Sequence, residues 1–214
     1  MRISRSFIIV LTTAMVAGLL LLVYFLAGYF KSGPEAKTDE PRVEFAPEIE
    51  EIIKVKSDTF RPILHDDKIT AAIKASNEQH HDIAIGEILE LDRRFQNPQD
   101  VGFAKQFQEN SAAHKLIEFQ EENPAFSEIF ITDKFGLNVA QTNKTSDFYQ
   151  ADEEWWTGSY NDGKGREYHG AIEFDESAQA EAISVYIPVF DAESGELIGI
   201  AKAVLNIAAI KLEL

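Results

Sequence analysis

The spacing of apolar residues changes character along the chain. From Phe7 to Phe30 (FIIVLTTAMVAGLLLLVYFLAGYF) the run is apolar, with only Thr12 and Thr13 as polar interruptions. At about 1.5 Å rise per residue such a run crosses a hydrocarbon core of roughly 30 Å with some tilt. Residues 31–47 hold Pro34, Pro41 and Pro47 among charged residues, a pattern that predicts a stiff solvated linker. From Asp66 to Phe95, apolar or semi-apolar residues recur at Ile69, Ile73, Ser76, His80, Ile83, Ile88, Leu91 and Phe95. That stripe predicts one helix, ended by Asn97-Pro98. A second helix is predicted from about Asp100 to Glu122, and Asn123-Pro124 stops it.

From Phe126 onward the period becomes two. Ser127–Thr132 and Leu137–Thr142 read as strands joined by the turn Asp133-Lys134-Phe135-Gly136. Asp152–Tyr160 reads as a short helix, followed by the loop Asn161–Gly165. Glu167–Phe174, Ala182–Phe190 and Glu196–Asn206 supply three more strands, the last two joined by a hairpin loop ending in Gly195. Strands joined by short turns pair antiparallel, because a parallel return needs a crossover. The expected fold class is therefore α+β: a transmembrane helix, long helices, then a five-stranded antiparallel sheet.

Arg2 and Arg5 precede the apolar run, and Tyr24 and Tyr29 lie near its far end. The positive-inside rule puts residues 1–6 in the cytoplasm, residues 7–30 in the membrane and everything beyond outside. A cleaved signal peptide is the competing reading, opposed by the length of the run and the lack of a clear small-x-small cleavage site. The expected location is the inner membrane, single-pass, with a periplasmic domain over residues 48–210. With only six residues before the anchor, the expectation is that a separate membrane partner reads the ligand state, the alternative being a shortened form of a longer receptor.

The chain carries 20 basic and 36 acidic residues, a net of −16, which opposes binding to a phosphate backbone, so no nucleic-acid partner is expected. No cysteine is present, which excludes disulfides, thiolate metal sites and a cysteine nucleophile. His80 and His81 are neighbours on a helix and diverge, whereas a helical zinc pair wants positions i and i+4. His80 reads as a packed histidine on the apolar stripe; His65, His114 and His169 are isolated, and no metal site or cofactor is expected. Nucleophile-elbow, Walker, H-E-x-x-H and dinucleotide motifs are lacking, so a non-enzymatic role is expected.

Trp155 and Trp156 are the only tryptophans, and Asp147, Asp152, Glu153 and Glu154 crowd around them. One indole is expected to pack on the sheet while the other walls a pocket or attracts a cation. Tyr186 alternates with Ile183, Val185 and Ile187, placing it on the opposite sheet face. Lys202, in mid-strand among Ala201, Ala203 and Val204, must either reach solvent or meet an anion: a ligand carboxylate, Glu153 or Asp175.

Three phrases carry a resemblance: NPAFSEIFITDKFG (Asn123–Gly136), DFYQADEEWW (Asp147–Trp156) and AISVYIPVFDAESGELIGIAKAVLNI (Ala182–Ile207). In this order, behind an anchor, they resemble the extracytoplasmic PAS-like sensor domains called PDC or Cache domains. The resemblance implies a PAS-like sheet and a small-molecule pocket between the sheet and the segment linking strands two and three. Against the amino-acid-sensing branch, Phe148 matches the aromatic position and Trp155-Trp156 stand for Trp-Tyr. Glu153 stands where that branch has Arg, and Val204 where it has Asp, so an α-amino acid is not the expected ligand. The ligand-binding set is then Phe148, Asp152, Glu153, Trp155, Trp156, Tyr168, Asp175, Tyr186 and Lys202. A rival reading is a non-sensing adhesion or assembly module. Its acidic face would bind divalent cations, and its Asp66–Phe95 stripe would form a homodimer seam.

Overall fold

The computed structural model describes residues 45–175 and 180–212, leaving aside the side chain of Asp175. The predicted cytoplasmic tail, anchor and most of the linker lie outside the described residues. Among the described residues no helix is long and apolar enough to cross a membrane.

Among the described residues five helices come first: α1 (Pro47–Phe60), α2 (Asp67–His80), α3 (Ile85–Gln96), α4 (Val101–Glu109) and α5 (Ser111–Glu122), with a 3-10 turn at Arg61–His65. The sheet follows, as β1 (Phe126–Asp133), β2 (Asn138–Gln141), β3 (Tyr168–Asp175), β4 (Ala180–Phe190) and β5 (Leu197–Asn206). A short helix, α6 (Glu154–Tyr160), lies between β2 and β3, and α7 (Ile207–Lys211) ends the described chain. Strand order is β2-β1-β5-β4-β3 with every neighbour antiparallel, as the short turns require.

Two of the predicted helices are each broken in two. The expected Asp66–Phe95 helix stops at His80 and restarts at Ile85. The stripe itself holds the reason, since its step from Ile83 to Ile88 is five residues and a helix face recurs every three or four. The break lets each half bury its apolar side in a different place. Ile69 and Ile73 join the main core, while Ile88 and Phe95 join a smaller cluster with Ala104, Leu137 and Phe148. Ile69, Ile73, Ile88 and Phe95 of the stripe are thereby buried within the chain. The expected Asp100–Glu122 helix breaks at Asn110, whose side chain accepts from the Ala113 N–H at 2.8 Å and donates to the Val139 carbonyl at 2.8 Å. Asn110 thereby caps α5 and ties it to β2.

The main core lies on one face of the sheet. Ile129 and Ile131 of β1, Ile183, Val185 and Ile187 of β4, and Ala201, Ala203 and Leu205 of β5 meet Phe60, Leu64, Ile69, Ile73 and Leu116 from the helical layer. Polar groups fasten α2 to the β1–β2 turn. The buried Asp133 carboxylate accepts the Phe135 and Leu137 N–H groups on Oδ1, at 2.9 and 3.0 Å. Its Oδ2 accepts the Ser76 hydroxyl and faces His80 Nδ1, both at 2.8 Å. Asn77 donates to the Ile198 carbonyl and accepts from the Lys134 N–H. His80 is thus the packed histidine that its place on the stripe predicts, held by a carboxylate of the turn.

Candidate functional site

The second face of the sheet faces away from α1, α2 and α5 and carries a different set of side chains. Residues directly opposite one another on antiparallel strands share a face. Gln141 of β2 lies opposite Phe130 of β1, Phe130 opposite Lys202 of β5, Lys202 opposite Tyr186 of β4, and Tyr186 opposite Tyr168 of β3. One row therefore crosses all five strands: an amide, a phenyl ring, an ammonium and two phenols. The adjoining row holds Asn138, Thr132, Ile200 and Pro188.

Helix α6 lies over this face. Trp155 stacks on Tyr186, with centroids 5.2 Å apart, and meets Phe130 edge-on at 5.7 Å. The Lys202 ammonium sits among these three rings, 5.0 Å from the Trp155 centroid, 5.6 Å from Phe130 and 5.9 Å from Tyr186. Each aromatic face is attractive to a cation by roughly 0.5–2 kcal/mol, depending on how far water is excluded. The Tyr168 hydroxyl donates to the Trp155 carbonyl at 2.9 Å and fixes the helix above the sheet. Gly158 makes that approach feasible, because a Cβ there would lie 2.7 Å from the same hydroxyl. Arg166 lies over the Tyr168 ring, its guanidinium carbon 4.7 Å from the centroid. Trp156 does a different job: it is buried, donates from Nε1 to Thr132 Oγ1 at 2.8 Å and stacks on Tyr160.

Burial holds the Lys202 pKa below its ordinary value, opposed by Glu128, Glu153, Glu173 and Asp147, which act on it only through space. Burial raises the Asp147 carboxyl, opposed by a hydrogen bond from Gln150 and reinforced by Asp92 and Asp152. Glu153 is also raised, by burial and then by Asp147 and Asp152, with Lys202 pulling the other way.

Beside Phe130 the segment after β2 folds back over its own strand. Asn138 Nδ2 donates to Thr145 Oγ1 at 2.7 Å and to the Asp147 carbonyl at 2.9 Å, and Gln150 Nε2 donates to the same carbonyl. Among the described residues, Asn138 Oδ1 and Gln141 Nε2 are buried without a hydrogen-bond partner. The β1–β2 turn steadies this segment: the Gln150 N–H donates to the Gly136 carbonyl at 2.8 Å, and a Cβ on Gly136 would meet the Ala151 Cβ at 2.4 Å.

Trp155, Tyr168, Tyr186 and Lys202 come together as one group. Asp152 and Glu153 lie exposed at the start of α6, on its rim. Two predicted members are elsewhere. Phe148 is fully buried in the smaller cluster, against Phe95, Phe103 and Phe107, because the chain turns it inward under α3 and α4. Asp175 pairs with Ala180 at the far end of β3, roughly 20 Å along the strand from Tyr168. Phe130, Asn138 and Gln141 are additional members; the alternation of Phe130 against Ile129 and Ile131 was their one sequence signal. Among the described residues, no three metal-ligating side chains converge.

Scans against family models and curated proteins find no match. Solved structures do match. The sensor domain of E. coli DcuS is 18% identical over 60% of this chain and 92% of its own length, with a TM-score of 0.37. The sensor domain of the V. cholerae histidine kinase DctB is 13% identical over 77% of this chain and 60% of its own, at 0.37. The sensory domain of the Campylobacter jejuni chemoreceptor Tlp3, with isoleucine bound, is 9% identical over 76% and 59%, at 0.39. The chain spans about three fifths of the length of the DctB and Tlp3 domains. All three are sensor domains of the PDC/Cache type, the type that the sequence resembles.

Proposed function

We propose that this chain is a membrane-anchored, extracytoplasmic sensor domain, without enzymatic activity, that binds a small carboxylate-bearing molecule on the sheet face beneath Trp155. Residues 7–30 serve as the anchor, and a separate membrane protein reads the ligand state. The observation that carries this reading is Lys202: a buried ammonium held among three aromatic rings, its pKa lowered by burial, with Glu128, Glu153, Glu173 and Asp147 acting on it through space. An anionic ligand group would restore what burial takes from that charge, and the rings would enclose an apolar ligand body. Binding signals only if it favours one arrangement of the chain over another.

The test is thermal melting of the full chain in detergent, with simple carboxylates such as butyrate and with matched amines. Wild type is expected to be stabilised by carboxylates, following RT ln(1 + [L]/Kd), and Lys202→Met to lose the response while melting no lower without ligand. Stabilisation by amines alone, or an undiminished carboxylate response in Lys202→Met, refutes the assignment. A response to calcium or magnesium alone supports the rival cation-bridged module instead.

A further inference from the structure

We infer that Asn138 and Gln141 form the end of this site that selects the ligand, and that they recognise a hydroxyl carried several bonds from the ligand's carboxylate. This rests on the reading of Lys202 as the carboxylate partner. Asn138 Oδ1 is an acceptor without a donor and Gln141 Nε2 a donor without an acceptor, both fully enclosed. Almost every other buried polar atom in a folded chain is paired, and Asn138 Nδ2 lies 3.4 Å from Gln141 Oε1, so two unpaired atoms on these neighbouring amides indicate a missing group. The two have opposite needs. A hydroxyl meets both at once, since it donates its proton to Asn138 Oδ1 and accepts from Gln141 Nε2.

Their place in the sheet sets the shape of the ligand. Gln141 is opposite Phe130, and Phe130 is opposite Lys202, so the amide and the ammonium stand two strands apart, roughly 10 Å at the backbone, on the same face. Both side chains are long, and the Phe130 ring lies between them. A straight three- or four-carbon hydroxy acid lying along that ring brings its carboxylate to Lys202 and its hydroxyl to the amide pair. The other bonds of this corner hold the two amides in place: Asn138 Nδ2 is committed to Thr145 and the Asp147 carbonyl, and Thr145 Oγ1 lies 3.2 Å from Gln141 Oε1. Because both free atoms are enclosed, entry requires the segment Thr142–Gln150 to lift and close again, which links occupancy to the β1–β2 turn through the Gln150–Gly136 bond.

The experiment compares butyrate, 3-hydroxybutyrate and 4-hydroxybutyrate by calorimetric titration of the full chain, in wild type, Gln141→Leu, Asn138→Leu and Lys202→Met. At least one hydroxy acid is expected to bind about 10–100-fold more tightly than butyrate, because a site built to bond a hydroxyl penalises the analogue lacking it. Gln141→Leu is expected to erase that preference, and Lys202→Met to weaken all three acids. Equal binding of butyrate and both hydroxy acids overturns this inference, leaves the Lys202 reading intact and assigns the amide pair to a buried water. A preference that survives in both Gln141→Leu and Asn138→Leu overturns it too. Binding of none of the three acids overturns the carboxylate reading and this inference with it.

Discussion

Asp133 is where the helical layer, the β1–β2 turn and the site segment meet, and its removal gives the sharpest test of how the fold supports the site. In Asp133→Ala four groups lose an acceptor together: the Phe135 and Leu137 N–H groups, the Ser76 hydroxyl and His80 Nδ1. All lie at 2.8–3.0 Å from a side chain with no exposure to solvent. Hydrogen bonds to such a group contribute about 1.5–3 kcal/mol each, but part of that sum offsets the desolvation of the carboxyl, which the variant no longer suffers. The net expectation is a loss of about 3–5 kcal/mol, as when one partner of a buried polar pair is deleted. At about 2–4 °C per kcal/mol for a domain of this size, the melting temperature should fall by roughly 6–20 °C. Circular dichroism melts and urea titrations of the full chain measure it. His80→Ala should cost less, since three of the four bonds remain, and the double variant should fall well short of the sum because both changes remove one shared bond. A loss under about 1 kcal/mol for Asp133→Ala, or full additivity with His80→Ala, would refute the picture of Asp133 as the fastening point.

Asp147 gives a pH prediction. Its carboxyl is raised in the folded state by burial, so the folded chain holds a proton that the unfolded chain releases. The stabilisation it provides is complete below the ordinary carboxylate value and is lost as pH rises through the raised one. The melting temperature of Asp147→Asn relative to wild type should therefore climb from pH 3.5 to pH 7; a flat or falling difference contradicts the assignment. The two indoles separate by role: Trp155→Ala should abolish the carboxylate response, because that ring stacks at Lys202. Trp156→Phe should keep the response and lose only about 1 kcal/mol for the Thr132 hydrogen bond. Full loss of response in Trp156→Phe, with the melt unchanged otherwise, would reverse those roles.

What the sequence by itself determined follows from local periodicity. Alternation of Ile129 and Ile131 with Phe130, and of Ile183, Val185 and Ile187 with Tyr186, sorted the strands into two faces, and the turns at Asp133–Gly136 and Asp191–Gly195 made them antiparallel. Tyr186 and Lys202 were legible as odd residues on the face away from the core for the same reason. Strand order was not: β1 pairs with β5, some seventy residues on, and nothing local records a pairing over that separation. That pairing alone puts Phe130 beside Lys202 and Gln141 one strand further, completing the row that no linear spacing displays. The helix breaks were decided in three dimensions too, since a five-residue step in an apolar stripe becomes a turn only when two separate clusters compete for its halves. Phe148 shows the same limit from the other side. Its position in a motif pointed to the ligand, and the packing of α3 and α4 drew it into their own apolar cluster instead. Periodicity assigns a residue to a face, and only the packed chain decides what that face meets.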